Sequence, residues 1–135
     1  LVPIICEFAS GKKEKLVVNG NDYNTVDGTC VRDYIHVVDL AKSHVKALKY
    51  LLKKSSKEIF NIGTGNGLSV LQVIKAFEKA NGINLNYSIG PRRDGDVEEV
   101  YSDNKKVVSK LKWSSEISIK NAMIDAWRWE QNKFI

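Results

Sequence analysis

The most informative segment of the chain is Gly20-Asn-Asp-Tyr-Asn-Thr-Val-Asp-Gly-Thr-Cys-Val-Arg-Asp-Tyr-Ile-His36. Residues 20–29 are rich in Gly, Asn and Asp, which is typical of a long turn, and the run from Val31 to Val37 alternates in polarity like a strand. Arg32 lies in this run, and the pair Arg92-Arg93 follows a later β-like segment. A guanidinium group matches phosphate oxygens in a bidentate manner and keeps its charge at physiological pH. We therefore expect a phosphate or diphosphate site if folding brings these arginines together.

The length and composition indicate one soluble domain that spans residues 1–135. Apolar residues make up 43% and charged residues 27% of the chain, which is ordinary for a globular protein. No apolar run approaches the roughly 20 residues that cross a bilayer, so we expect no membrane partner, and the first residues lack the features of a signal peptide. Because the only methionine is Met123, we expect the chain to be part of a longer polypeptide.

Charge and cysteine content narrow the possible partners. The net charge is +5, but the lysines are scattered and no nucleic-acid-binding motif is present, so we expect no nucleic acid partner. Cys6 and Cys30 lack the spacing of a metal site, and His36 and His44 have no cysteines at zinc-finger spacing, so we expect no metal. Two isolated cysteines fit a reducing compartment, and we expect a cytoplasmic location.

The hydrophobic pattern of the first half predicts helices around a short strand. We expect a helix from Pro3 to Ser10, a strand from Lys15 to Asn19, and a helix capped by Asp39 that continues to about Lys54. This last helix carries two apolar stripes, which are Val38, Ala41, Val45, Leu48 and Leu52, and then Leu40, Ala47 and Leu51. So wide an apolar surface predicts that some of it packs against a domain outside this chain.

The second half predicts a compact α/β unit. Glu58 to Ile62 and Leu85 to Ile89 are strand-like, and between them Ser69 is a plausible N-cap for a helix through Ala80 that ends at Gly82. A strand, helix and strand of this length favour a right-handed parallel βαβ unit. Further helices are expected over Lys105 to Leu111 and from Ile117 to about Asn132.

The expected βαβ unit places anion-binding features at one sheet edge. Because ligands bind along the carboxyl edge of parallel strands, we expect the loop Gly63-Thr64-Gly65, the helix N-terminus near Ser69 and the arginines Arg92 and Arg93 to meet there. The glycines form G-x-G-x-G and not G-x-G-x-x-G, so a tight turn is favoured over a dinucleotide site. Asp96, which follows Gly95, is a candidate acceptor for a ligand hydroxyl.

The chain contains no recognisable catalytic motif. Tyr34 has no lysine at the Tyr-x-x-x-Lys spacing, and neither G-x-S-x-G nor H-E-x-x-H is present. We therefore expect a binding region whose catalytic residues and cofactor site lie elsewhere.

Three motifs make the chain resemble the C-terminal, substrate-binding region of UDP-glucose (UDP-galactose) 4-epimerases, which belong to the extended short-chain dehydrogenase/reductase superfamily. The motifs are Gly20-Asn-Asp-Tyr-x-Thr-x-Asp-Gly-Thr-x-Val-Arg-Asp-Tyr-Ile-His-Val37, Phe60-Asn-Ile-Gly-Thr-Gly65 and Pro91-Arg-Arg-x-Gly-Asp96. The resemblance implies the C-terminal part of such an enzyme, with one parallel βαβ unit, a short β-ribbon and flanking helices, and with the N-terminal Rossmann domain absent from this chain.

The resemblance also implies a set of substrate-binding residues. Arg32 and Arg93 match the arginines that hold the UDP diphosphate, and Asp96 matches a carboxylate that binds the ribose. Among the other matching positions, Leu1 touches the substrate, and the strand backbone of Val17, Val18 and Asn19 pairs with uracil. Tyr34 and Val70 line the nucleotide pocket, and Val100 lies beside the sugar. Since valine is small, we hypothesise that Val100 leaves room for an N-acetylated sugar.

The activity implied by the resemblance is the interconversion of UDP-galactose and UDP-glucose, by NAD-mediated oxidation and reduction at C4 of the sugar. In this family the catalytic Ser or Thr, Tyr and Lys and the NAD site lie in the N-terminal domain, so we expect no catalytic or cofactor-binding residue in this chain. The partners implied are a UDP-sugar, the N-terminal domain of the same polypeptide and a second copy in a homodimer. We expect the chain alone to be inactive.

Other functions remain open at this point. The parent could be another NAD-dependent sugar-nucleotide enzyme, such as a decarboxylase or a dehydratase. The chain could also be a non-catalytic UDP-binding module or a nucleic-acid-binding protein.

Overall fold

The computed structural model describes residues 1–54 and 57–133. The chain has an α/β fold, as predicted. Its elements in chain order are α1 (Val2–Ala9), β1 (Leu16–Asn19), β2 (Val31–Asp33), α2 (Val37–Lys53), β3 (Gly67–Ser69), α3 (Val70–Asn81), β4 (Tyr87–Gly90), β5 (Glu99–Val100), α4 (Lys105–Leu111) and α5 (Ile119–Asn132). Among the described residues, no helix is both long enough and apolar enough to cross a membrane.

Within the described residues the strands form two small sheets. One pairs β1 with β4 in parallel, with Leu16 opposite Tyr87 and Asn19 opposite Gly90. In the other sheet β2 lies between β3, to which it is antiparallel, and β5, to which it is parallel. Because β1 and β4 run in the same direction, the loop that begins at Gly20 and the segment that begins at Pro91 leave the same sheet edge. The Gly20 amide donates to the Gly90 carbonyl there at 3.0 Å.

The main hydrophobic core lies between α1, β1, α3 and α5. Phe77 is fully buried and its ring meets that of Trp127 edge to face, with centroids 5.8 Å apart. Burial of a side chain of this size contributes about 1.5–3 kcal/mol. The other buried members are Ile5, Cys6, Leu16, Val18, Val73, Ile74, Leu85 and Met123. This core fixes β1 and the start of α3, between which the candidate site is built.

Several helices form where the sequence predicts them. The predicted N-cap Ser69 accepts from the amide of Gln72 through its hydroxyl, and the Ser69 amide donates to Oε1 of Gln72, so a capping box begins α3. Gly82 ends α3 with φ of 67°, a left-handed conformation that glycine adopts without strain. The predictions for α1, α4 and α5 are also confirmed to within two residues at each end.

The predicted βαβ unit is wrong in its strand pairing. Residues 58–62 form no strand, because no strand among the described residues lies beside them to complete a ladder. The parallel partner of β4 is β1, which comes much earlier in the chain. The alternation of polarity identified an extended segment but could not identify its neighbour.

The start of α2 also differs from the prediction. The helix begins at Val37, so the predicted strand from Val31 ends at Asp33, and the N-cap is His36, whose Nδ1 accepts from the Val38 amide at 3.1 Å. Asp39 is not the cap but a fully buried residue of the first turn. Its Oδ2 accepts from the amides of Glu116 and Ile117 at 2.9 and 2.8 Å. Asp39 does not cap α2 because its carboxylate accepts from a distant backbone segment and not from an amide of its own helix.

Candidate functional site

Arg32 is held in a fixed position by acceptors of the chain itself. Its side chain leaves β2 half-buried, and Nη1 donates to the Val31 and Glu98 carbonyls at 2.8 and 3.4 Å. Its Nη2 lies 3.3 Å from Oδ1 of Asp96. A guanidinium group has five N–H donors, so these contacts orient Arg32 and still leave donors for an anionic ligand.

The turn that carries Arg93 closes against Arg32. The Asp96 amide donates to the Arg93 carbonyl at 3.2 Å, and Gly95 has φ of 79°, which the tight turn requires. Asp96 is therefore bonded through its side chain to Arg32 and through its backbone to Arg93. The Arg93 side chain is exposed, and no hydrogen-bond or ion-pair partner for it lies within residues 1–54 and 57–133. It is available to an external anion.

Val100 belongs to the same cluster. It lies opposite Arg32 in the parallel pair β2 and β5, and its side chain is 50% exposed. Arg32 and Val100 line an open groove of about 600 Å³, together with the segment Phe60–Ile62 and the residues Asp33 and Tyr101–Asp103. The structure thus brings Arg32, Arg93, Asp96 and Val100 into one region.

The residues of β1 present an exposed strand edge beside this region. Val18 is buried in the core, whereas Val17 is 44% exposed and Asn19 is exposed. Within the described residues β1 pairs only with β4, so backbone groups on its other edge are free to bond an extended or planar partner. The Gly20 bond to Gly90 joins this edge to the segment that leads to Arg93.

Leu1, Tyr34 and Val70 are the remaining predicted site residues, and they lie at the main core. All are partly buried and pack against the main core. Burial raises the pKa of the Tyr34 hydroxyl, an effect that the positive charge of Arg32 only partly offsets. Tyr34 is thus a neutral phenol at physiological pH. Val70, at the first position of α3, donates its amide to the Cys30 carbonyl at 3.1 Å. No contact between these residues and Arg93 is present in the described part of the chain.

The glycine-rich loop, a predicted anion site, is already bonded to a carboxylate of the chain itself, that of Asp33. Oδ1 of Asp33 accepts from the amide and hydroxyl of Thr64 at 2.8 and 2.6 Å, and Oδ2 accepts from the Gly65 amide at 3.2 Å. Ser102 donates to the same carboxylate through its amide and its hydroxyl. Burial raises the pKa of Asp33, but the hydrogen bonds from Thr64 and Ser102 outweigh it and hold that pKa below its ordinary value. The carboxylate is thus ionised at neutral pH and occupies the donors of the loop.

Asp33 is a residue that the sequence analysis missed. The sequence contains a usable signal, because Asp33 follows Arg32 directly and the later glycine-rich loop has backbone amides that need acceptors. Only the fold, however, shows that β2 ends where this loop passes.

The N-terminus of α3 is likewise satisfied internally, so the prediction of an anion site there is also wrong. The amides of Val70, Leu71 and Gln72 donate to the Cys30 carbonyl, the Thr29 hydroxyl and the Ser69 hydroxyl. Asp27, next to this terminus, accepts from Ser69 at 2.5 Å and from Thr29 at 2.7 Å. The long loop thus supplies both the acceptors and the negative charge that favour a helix N-terminus.

Two kinds of site are not formed by the described residues. Because the amides of the glycine-rich loop already bind Asp33, the chain does not fit the pyrophosphate of a dinucleotide there. No group of three or more His, Cys, Asp or Glu residues in the described ranges is placed to hold a metal ion. The described residues that do come together are Arg32, Asp96 and the turn of Arg93, next to the exposed edge of β1.

Comparison with known proteins identifies relatives of this chain. The family model for GDP-mannose 4,6 dehydratase matches residues 1–125. The UDP-glucose 4-epimerase of Bacillus subtilis is 46% identical over 132 residues, which are 98% of this chain and 39% of that protein. The human UDP-glucose 4-epimerase is 45% identical over 131 residues, or 97% of this chain and 38% of that protein. The chain thus spans about two fifths of the length of these relatives.

Solved structures show the same relationship. The UDP-glucose 4-epimerase of Stenotrophomonas maltophila, with bound NAD and formylated UDP-arabinopyranose, matches with a TM-score of 0.97 at 40% identity, over 98% of this chain and 40% of that one. The enzyme of Bifidobacterium longum, in complex with NAD+ and UDP, matches with a TM-score of 0.89 at 44% identity, over 98% of this chain and 39% of that one.

Proposed function

Because the chain belongs to the GDP-mannose 4,6-dehydratase family and its relatives include UDP-glucose 4-epimerases, we propose that it is the UDP-sugar-binding part of such an epimerase. The complete protein would interconvert UDP-galactose and UDP-glucose with NAD as cofactor. The observation that carries the proposal is the cluster of Arg32, Asp96 and the turn of Arg93. It combines one oriented and one available guanidinium with a carboxylate between them, which suits a diphosphate linked to a ribose.

The remaining residues have roles that match their positions. Arg32 and Arg93 bind the diphosphate, and Asp96 accepts from a ribose hydroxyl. The free edge of Val17, Val18 and Asn19 pairs with the uracil ring. Tyr34 and Val70 line the nucleotide pocket, Leu1 touches the substrate, and Val100 lies beside the sugar.

We further propose that the catalytic residues and the NAD site lie in an N-terminal domain that packs on α2. The support is the apolar stripe predicted from the sequence, which faces away from the core: Val45, Leu48 and Leu52 are 52%, 58% and 80% exposed. Ile59, in the segment that has no strand partner among the described residues, is 84% exposed. An apolar surface of this extent marks an interface. The Ile59 carbonyl accepts from Nζ of Lys106 at 2.8 Å, and the other backbone groups of residues 58–62 are available to join a sheet of that domain. This chain then binds and orients the substrate and has no activity alone.

Two further features of the complete protein are proposed with it. The resemblance implies a homodimer, which light scattering on the complete protein would test. A cytoplasmic location is supported by Cys6 and Cys30, which are buried free thiols of the kind that persists in a reducing compartment.

A direct assay tests the proposed function. The complete protein, supplied with NAD, should convert UDP-galactose to UDP-glucose, and this chain expressed alone should not. Release of carbon dioxide from a UDP-uronic acid, or formation of a 4-keto-6-deoxy sugar, would instead establish the decarboxylase or the dehydratase. The dehydratase is kept as the second candidate because the matching family model carries that description.

The sugar preference has a separate test. Because Val100 is small and half-exposed, we propose that the complete enzyme also accepts UDP-N-acetylglucosamine. Turnover of UDP-glucose without any turnover of the N-acetylated substrate would refute this.

A further inference from the structure

Arg92 differs from its neighbour Arg93 in having hydrogen-bond partners within the chain, although its side chain is 45% exposed. Its Nε donates to Oδ1 of Asp22 at 2.7 Å and its Nη2 to the Asp22 carbonyl at 2.5 Å. Its guanidinium carbon lies 4.1 Å from the centre of the Tyr23 ring, a distance at which a cation is attracted to an aromatic face. Asp22, Tyr23 and Arg92 are together called the latch below.

The backbone is shaped to hold the latch. Gly20 has φ of 77°, and a Cβ atom there would lie 2.6 Å from the Tyr23 ring and 3.0 Å from Cγ of Arg92. Glycine therefore both permits the turn and makes room for the two stacked side chains. Since Gly20 follows β1 and Arg92 follows β4, the latch joins the carboxyl ends of the paired parallel strands.

The far side of the same turn reaches Arg32. Four residues after Arg92, Asp96 is bound to the Arg32 guanidinium, and Glu98 accepts from Arg32 through its carbonyl. The segment 91–98 is thus fixed at one end by Arg92 and at the other by Arg32. Arg93, between these ends, has no partner among the described residues.

We propose that Arg92 is a positioning residue, which holds the turn of Arg93 and Asp96 against the loop at residues 20–29 and does not itself touch the ligand. The proposal deepens the proposed function and rests on it, because the ligand is the diphosphate of a UDP-sugar. It assigns the two adjacent arginines opposite tasks: Arg93 binds the anion, and Arg92 fixes the turn from which Arg93 extends. Release of the latch would weaken binding because the ligand would then have to order the turn.

A double-mutant cycle in UDP affinity separates these tasks. In the complete protein, Asp22→Ala and Arg92→Ala should each weaken UDP binding by roughly three- to tenfold, and the double variant should be no weaker than either one. Because the latch acts through the turn that carries Arg93, Asp22→Ala should weaken UDP binding less in the Arg93→Ala background than in the wild type. The matched control is Arg128→Ala, which removes an exposed arginine of α5 that also pairs with an aspartate, Asp125, but lies outside the latch. It should bind UDP like the wild type.

Amide hydrogen exchange gives a second readout that needs no ligand. Exchange at Tyr23 and Thr25 should be faster in Asp22→Ala and Arg92→Ala but unchanged in Arg93→Ala. If the wild type binds no UDP, the proposed function fails, and the exchange data still decide whether the latch exists. Full multiplication of the Asp22 and Arg92 losses, or unchanged exchange in both variants, would overturn the inference.

Discussion

At the scale of single residues, neighbours in sequence have different tasks. Arg32 is available to an anion, while the adjacent Asp33 fills the glycine-rich loop that resembles an anion site. Arg93 is exposed, while Arg92 is bound to Asp22. Residue type and spacing identified the charged groups, but they could not show which of them are already neutralised by the chain. That depends on contacts across dozens of residues.

Replacement of Asp33 by asparagine should destabilise the fold in a pH-dependent manner. An amide group in place of Oδ2 would face the donors of Gly65 and Ser102, so we expect Asp33→Asn to lower the free energy of unfolding by about 2 kcal/mol at pH 7. The folded pKa of Asp33 lies below its ordinary value. Its contribution is therefore complete above the unfolded pKa of about 4 and is lost as pH falls through the folded pKa. The difference between the two proteins should shrink as pH falls below about 4.

Urea unfolding of both proteins between neutral and acidic pH measures this difference. The control is Asp94→Asn, because Asp94 is exposed and accepts no hydrogen bond from the described residues. It should change the free energy of unfolding by less than about 0.5 kcal/mol. A difference between wild type and Asp33→Asn that is constant with pH would show that the carboxylate charge is not what holds the loop.

At the scale of elements, local signals were reliable and pairing signals were not. Caps, glycines and apolar periodicity located α1, α3, α4 and α5, because each depends on residues a few positions apart. The pairing of β4 with β1 depends on a contact between distant segments, and the fate of residues 58–62 depends on a neighbour that the described residues do not supply. These features could not follow from one segment of sequence.

The N-cap of α3 should contribute more to the free energy of unfolding than an exposed N-cap does. Ser69 is fully buried and both accepts from Gln72 and donates to Asp27. Ser69→Ala removes the cap and also a hydrogen bond to the long loop, so we expect it to lower the free energy of unfolding by about 2 kcal/mol. Ser118, the exposed N-cap of α5, is the matched comparison, and Ser118→Ala should cost about 1 kcal/mol or less. Equal losses in denaturant unfolding would mean that the bond to Asp27 contributes nothing.

At the scale of the whole molecule, the chain has an apolar surface that it does not bury itself. The sequence predicted two apolar stripes on α2, and members of both are exposed: Leu48 and Leu52 of the first stripe and Leu51 of the second. The resemblance to UDP-glucose 4-epimerases, inferred from three motifs, is confirmed by the relatives. Motifs could identify the family because each motif is a short run of neighbouring residues, whereas the proposed docking surface was recognisable only as excess apolar area.

Polar substitutions on α2 should distinguish the chain from the complete protein. Glutamine, like leucine, is a good helix former. Leu48→Gln and Leu52→Gln should therefore change the stability of this chain by less than about 0.5 kcal/mol each. In the complete protein each should cost about 1–2 kcal/mol through lost apolar burial. Thermal unfolding of both forms measures this, with Lys49→Gln, at an exposed lysine of the same helix, as the control. Unchanged stability in the complete protein would show that this face does not bind the N-terminal domain.

Titration calorimetry of the complete protein with UDP and with uridine tests the central claim most directly, because the two ligands differ by the diphosphate. Arg32→Ala and Arg93→Ala should each weaken UDP binding by about tenfold or more and leave the weak binding of uridine unchanged. Undiminished affinity for UDP in either variant, or an equal loss for uridine, would contradict the assignment of these two guanidinium groups to the diphosphate.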